Sequence, residues 1–150
     1  MQIDQTQRIP APRAAVWQAI MDPEVLRRCI PGCEELERTS DTEMIATTVL
    51  KIGPVKARFK GKVTFEQVDA PGNLTLAGEG TGGVAGHARG SAVVTLTEDG
   101  DDTVLTYQVT AQVGGKIAQL GSRLVDSTAR KLSAEFFSRL EREFSAAEAT

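Results

Sequence analysis

Val55-Lys56-Ala57-Arg58-Phe59-Lys60-Gly61-Lys62-Val63-Thr64-Phe65-Glu66 alternates apolar or small residues with charged or polar ones at every step. Side chains of a strand point to opposite faces at successive residues, so this period of two predicts a half-buried antiparallel strand. Val55, Ala57, Phe59, Gly61, Val63 and Phe65 face a core, and Lys56, Arg58, Lys60, Lys62, Thr64 and Glu66 face water. Turn signals on both sides extend the pattern. Ser40-Asp41, Gly53-Pro54, Pro71-Gly72-Asn73 and Asp99-Gly100-Asp101-Asp102 divide the region from Glu34 to Val113 into six strands joined as a meander. A further strand precedes them at the N-terminus.

The flanks read as helix. Pro12 near the first turn predicts a short helix over Arg13–Ile20, and Asp22-Pro23 supplies an N-cap and a first helical residue for a second, which ends before Pro31-Gly32. After Gly114-Gly115 the apolar residues Ile117, Leu120, Leu124, Leu132, Phe136, Leu140 and Phe144, with Thr128 in phase, recur every three or four positions. This spacing predicts one amphipathic helix of about 28 residues, roughly 42 Å long. Its stripe has one place to be buried, the concave face of the sheet. The expected fold is therefore α+β: a curved antiparallel sheet of about seven strands wrapped around a long C-terminal helix, with two short helices after strand 1, in a single domain spanning residues 1–150.

Composition narrows the function. With 17 basic and 20 acidic residues the net charge is −3, which argues against general nucleic-acid binding, because that role needs a positive surplus. Met1-Gln2-Ile3-Asp4 lacks the basic and apolar regions of an export signal, and no apolar run is long enough to span a membrane. The end of the chain, Ser145-Ala146-Ala147-Glu148-Ala149-Thr150, is small and polar. A cytoplasmic protein is expected. Cys29 and Cys33 are spaced wrongly for a zinc or redox pair, and with a single histidine, His87, they read as free thiols rather than as metal ligands.

Several inward positions are small: Ala57, Gly61, Gly78, Gly90, Ala92 and Ala111. Such a run implies very close helix approach or unfilled space, while glycines that merely permit sheet curvature are the plainer alternative. Were the space unfilled, its expected lining of Phe59, Phe65, Leu74, Leu76, Leu96, Leu105, Tyr107, Leu124 and Phe136 would suit a lipophilic ligand. No carboxylate pair or nucleophile set falls on the inward parity, so an enzyme is not expected. Gly78-Glu79-Gly80-Thr81-Gly82-Gly83 matches a dinucleotide fingerprint only in letters, since a strand rather than a helix follows it. It reads as a glycine-rich hairpin at a cavity mouth. His87, placed in that turn, is either solvated or a proton donor or quinone-carbonyl partner. Lys56, Arg58, Lys60 and Lys62 form an outward basic stripe, either a solvated face or a dock for an acidic partner or anionic lipid.

The order of elements resembles the helix-grip fold, also called START-like, of the polyketide cyclase and Bet v 1 superfamily. Within it, Pro31-Gly32-Cys33 before Leu36, Lys51-Ile52-Gly53-Pro54-Val55-Lys56 and Phe59-Lys60-Gly61-Lys62-Val63 resemble the CoxG family, named for a subunit of carbon monoxide dehydrogenase. Gly114-Gly115-Lys116-Ile117-Ala118-Gln119-Leu120-Gly121 with Phe136-Phe137 adds to the likeness, which covers nearly the whole chain. The resemblance implies a non-catalytic accessory protein of a molybdenum-containing carbon monoxide dehydrogenase or related hydroxylase. It implies a menaquinone- or ubiquinone-type ligand in the cavity, and recruitment to the inner face of the cell membrane as a peripheral contact. Many members carry an extra C-terminal tail assigned to membrane contact, and the sequence stops soon after Phe144, so anchoring through such a tail is not expected of these residues. An enzyme of the polyketide cyclase or aromatase type, with Tyr107 or His87 transferring a proton, and a chaperone delivering cofactor to the hydroxylase are the rival readings.

Overall fold

A computed structural model describes the backbone of residues 2–148 and side chains as far as Ser145. Of residues 146–148 the backbone alone is described, and Met1, Ala149 and Thr150 lie outside the described residues. Strand β1 (Gln2–Ile9) leads into α1 (Arg13–Ile20) and α2 (Pro23–Cys29). A meander follows: β2 (Cys33–Ser40), β3 (Glu43–Ile52), β4 (Val55–Asp69), β5 (Asn73–Thr81), β6 (His87–Asp99) and β7 (Asp102–Gly114). The last element is α3 (Ser122–Glu148). All seven strands form one curved antiparallel sheet in the order β1-β7-β6-β5-β4-β3-β2, so the first strand closes onto the last.

Local chemistry sets the helix ends as expected. Asp22 accepts a hydrogen bond from the Glu24 N–H at 2.9 Å, and Pro23 occupies the first position of α2. The long helix differs from its sequence reading at one end. Ile117 and Leu120 lie in a separate 3-10 turn (Gly115–Leu120) rather than in α3. Gly121, at φ 96°, breaks the helix between them, and that backbone region is closed to other residues without strain. The helical period runs on through the break, which is why periodicity alone joined the two pieces. α3 itself has 27 residues, about 40 Å.

Strand register places the faces. Val63, Gly78, Gly90 and Ala111 stand opposite one another across β4–β7, as do Phe65, Leu76, Ala92 and Val109. All share the face covered by α3. The core on that face comes in two parts. The larger contains Ile3, Ile9, Val16, Ile20, Met44, Phe65, Leu74, Leu96, Leu105, Tyr107 and Leu140, with Phe136, Phe137 and Phe144 packed against it. The smaller, at the opposite end of the sheet, contains Phe59, Ala85 and Ile117, with Leu50, Ile52 and Val55 around them.

One buried polar contact ties α1 to the sheet. The Thr103 hydroxyl, wholly buried, donates to the Ala11 carbonyl at 2.7 Å just ahead of the helix. Replacing Thr103 with Val keeps the shape and strands that carbonyl without its donor. The expected loss is about 1–3 kcal/mol, read as a lower midpoint in urea with an unchanged slope; no change would mean that water reaches the Ala11 oxygen.

Candidate functional site

The small inner residues do not bring the helix close. The main backbone approaches of α3 are to α2 and to β1 and β3, towards the flanks of the sheet, rather than to its centre. Between the two core clusters the inner face is left half-buried: Ala46, Gly61, Val63, Gly78, Ala92 and Ala111 on the strands, and Leu124, Val125, Thr128 and Leu132 on the helix. Fully packed interiors leave few such positions. The gap therefore separates helix from sheet where the strand side chains are too short to fill it.

Beside this gap, towards the β3 flank, a cleft of about 250 Å³ opens between α3 and β3, and Leu132 borders both. Ile30 and Pro31 form one wall, Thr48 and Leu50 the floor, and Leu132, Ser133, Phe136 and Phe137 the helix side. Thr48 and Leu50 have the inward parity of β3, opposite Phe59 and Ala57 on β4. Phe137 is held by two ring contacts, stacked on Tyr107 at 4.0 Å and edge-on to Phe136 at 4.8 Å. Such pairs fix ring orientation and so give the cleft a defined wall.

The residues expected from sequence divide by burial. Phe65, Leu74, Leu96, Leu105 and Tyr107 are buried in the larger cluster, and Phe59 in the smaller. Leu76, Leu124 and Phe136 stay half-buried, and of the whole set Phe136 lines the cleft. Ile30, Pro31, Thr48, Leu50, Leu132, Ser133 and Phe137 line it without having been expected to. The even-numbered alternation of β3 could have found Thr48 and Leu50, and the helical stripe already held Leu132. Ile30 and Pro31 sit in the turn after α2 and carry no periodic signal.

His87 opens β6 rather than sitting in the preceding turn. It is exposed on the outward face, away from the cleft, because it pairs with Thr81 and Gly114 on the outward parity. Lys56, Arg58, Lys60 and Lys62 are exposed on that face too, with Arg58 paired to Glu34 at 3.0 Å and Lys62 to Glu79 at 3.8 Å. A groove of about 970 Å³ crosses the same face between rows that include Glu35, Glu37, Lys60, Lys62, Glu79 and Arg89. Its walls carry both charge signs, with Leu36 and Ile45 among them, and lie open to water.

Ionisable chemistry near the cleft is sparse. Burial raises the Tyr107 hydroxyl above the ordinary tyrosine range. Cys29 is wholly buried, and desolvation, with Glu143 adding to it, pushes its thiol up to about 11. Cys33 is raised by burial as well, and both cysteines are free thiols. A raised thiol holds its proton at neutral pH and is a poor nucleophile or metal ligand. Among the described residues no cluster of three or more His, Cys, Asp or Glu could hold a metal, and no helix is long and apolar enough to cross a membrane.

Comparison with known proteins agrees with this architecture. A conserved protein from Geobacillus kaustophilus superposes with a TM-score of 0.91 at 28% identity, covering 98% of this chain and 97% of that one. A START superfamily protein from Mycobacterium smegmatis gives 0.73 at 12% identity, with 97% and 98% covered. The Zhui aromatase/cyclase from Streptomyces sp. R1128 gives 0.67 at 14% identity, with 97% and 93% covered. The last two establish the fold, which is START-like. The comparison with curated proteins returns no match. The family model for CoxG, a subunit of carbon monoxide dehydrogenase, matches residues 6–145.

Proposed function

The chain belongs to the CoxG family of carbon monoxide dehydrogenase subunits, and from that premise we propose that it is a non-catalytic accessory protein of a molybdenum-containing carbon monoxide dehydrogenase or related hydroxylase. It binds a lipophilic, quinone-like molecule between α3 and the sheet and works as a carrier or adaptor, with peripheral contact to the inner face of the cell membrane. The observation that carries the ligand part is the cleft between α3 and β3, whose apolar wall is made by Ile30, Pro31, Leu50, Leu132, Phe136 and Phe137.

The cleft fits part of such a molecule. At about 250 Å³ it falls a little below the roughly 300–1,000 Å³ of ordinary ligand sites. A prenyl segment or one ring system enters as it stands, and a whole quinone needs α3 to move outward over its half-buried N-terminal half. Leu50, Leu132, Phe136 and Phe137 would hold the tail by burial, at about 25 cal/mol per Å² of apolar area. A bound quinone would supply electron-carrying chemistry. The chain's own residues would bind it and exclude water.

Native mass spectrometry and organic extraction of protein purified from a quinone-containing host test this reading. A co-purifying prenyl quinone is expected. Menaquinone added in detergent at about a hundred times its dissociation constant should stabilise the fold by about 2.7 kcal/mol, raising Tm by several degrees. Ser133→Trp, which fills the cleft from the helix side, should abolish that rise. A clean apo mass together with an unmoved Tm would sink the carrier reading and leave a docking adaptor.

The cyclase reading draws on the aromatase/cyclase neighbour and on Tyr107 or His87 as proton carriers. Tyr107 is stacked under Phe137 inside the core, whereas His87 points outward from the other face, so the two share no site. Turnover of a polyketide substrate that disappears in Tyr107→Phe would favour it. The chaperone reading has no residue of its own in the structure.

A further inference from the structure

One end of the molecule is poor in acidic residues, Asp126 and Glu34 at its border being paired to Arg130 and Arg58. Positions 44–65, 80–97 and 103–125 contain no Asp or Glu, in a chain with 20 of them. These stretches meet at the end that holds the smaller core cluster. There the β3–β4 hairpin, the 3-10 turn Gly83–Ala85 and the 3-10 turn Gly115–Leu120 pack together around Phe59, Ala85 and Ile117. The start of α3 joins them. A Cβ on Gly53 at the hairpin tip would lie 2.8 Å from Leu124, so hairpin and helix are in contact.

Four cations are exposed on this end: Lys51, Lys56, Lys116 and Arg123. None has an ion-pair partner among the described residues, unlike Arg58 and Lys62, which are paired to Glu34 and Glu79. Lys51 and Lys56 stand directly opposite each other in the hairpin. Like charges at opposed positions destabilise a strand pair, and an anionic surface would relieve that cost. Beside them Val84 is 93% exposed, the most exposed large apolar side chain of the described residues, and Pro54 is exposed at the hairpin tip.

Cations around protruding apolar groups match a bilayer surface, where the charges meet headgroup phosphates and the apolar tips enter the acyl boundary. We propose that this end docks on anionic phospholipid, with Lys51, Lys56, Lys116 and Arg123 on the headgroups and Val84 and Pro54 inserted. The net charge of −3 orients the molecule, since the acidic remainder is repelled by the same surface. The assignment rests on the membrane part of the reading above and is independent of any bound ligand.

Co-sedimentation with quinone-free vesicles separates the two. The protein should bind phosphatidylcholine vesicles containing phosphatidylglycerol, lose binding as salt is raised, and ignore pure phosphatidylcholine. Neutralising each cation should lower partitioning roughly fivefold, so Lys51→Gln, Lys56→Gln, Lys116→Gln and Arg123→Gln together should lower it on the order of several hundredfold. Arg58→Gln with Lys62→Gln should matter far less, because those charges are already paired. Val84→Ser should weaken binding without altering its salt dependence. No binding to anionic vesicles overturns the proposal, as does equal binding by the fourfold variant. Binding to an acidic protein or to nucleic acid with none to vesicles would assign the surface to that partner instead. Failure here leaves quinone binding standing, and failure of quinone binding leaves this result untouched.

Discussion

Leu140→Ala is expected to cost about 3–4 kcal/mol, lowering Tm by about 10 °C. Leu140 is 0% exposed and belongs to the larger cluster that joins α3 to β1, α1 and α2. Nearby, Arg28 holds Glu143 at 2.7 Å and so fastens α2 to the same half of the helix. Truncating Leu140 leaves a cavity that those neighbours are too constrained to fill. Leu132, two turns earlier, faces the cleft and is half-buried, so Leu132→Ala removes a side chain that already has open space beside it. Its cost should fall below about 1.5 kcal/mol. Thermal melts of the two variants side by side check the contrast. Equal losses would mean that helix and sheet are packed alike along their whole length, with no gap at the N-terminal half of α3.

Gly86→Ala is the second large effect, and it acts through backbone rather than burial. Gly86 has φ 117° and ψ −159°, a region almost confined to glycine, and strain there costs about 1–3 kcal/mol. A Cβ would also lie 2.3 Å from the Gly114 carbonyl oxygen. That oxygen belongs to the backbone and cannot swing aside, so the two 3-10 turns must separate and uncover Ile117. A loss above about 3 kcal/mol is expected, enough to lower Tm by about 10 °C. Gly83→Ala, where φ is 64° but nothing lies within 4 Å, should cost only about 1–2 kcal/mol. If the two variants melt together, the Gly86–Gly114 contact is not what holds this end closed.

Much of the architecture was legible because it depends on neighbours in the chain. The alternation of Val55–Phe65 set element type and face at once, and the register confirms that Gly61, Val63 and Phe65 lie on the helix-covered side. Asp22-Pro23 gave the start of α2 because a cap is a local hydrogen bond. The joining of Ile117 and Leu120 to α3 shows the limit of that reasoning, as do residues 78–81 and His87, which belong to β5 and β6 rather than to a turn. Periodicity records which side is apolar, and a glycine at positive φ breaks the helix without breaking the period.

The site was legible only in outline. Small inward residues announced either close packing or empty space, and nothing local distinguishes these. Tyr107 and Leu105 have the same parity as Ala111, yet they are buried while Ala111 borders the gap, because α1 and the C-terminal half of α3 cover only one end of the sheet. Ile30 and Pro31 reach the cleft through the placement of α2, which no pattern in their own segment describes.

The sequence by itself therefore determined the elements, their faces and the antiparallel meander. All of these follow from side-chain type and position along the chain. Only the tertiary structure decided that α3 rests on the flanks of the sheet, that the core divides into two clusters, and that Lys51, Lys56, Lys116 and Arg123 share one surface with Val84. Whether space between two packed elements is filled depends on a small difference between large volumes contributed by residues far apart in sequence. That difference exists only once the chain has folded.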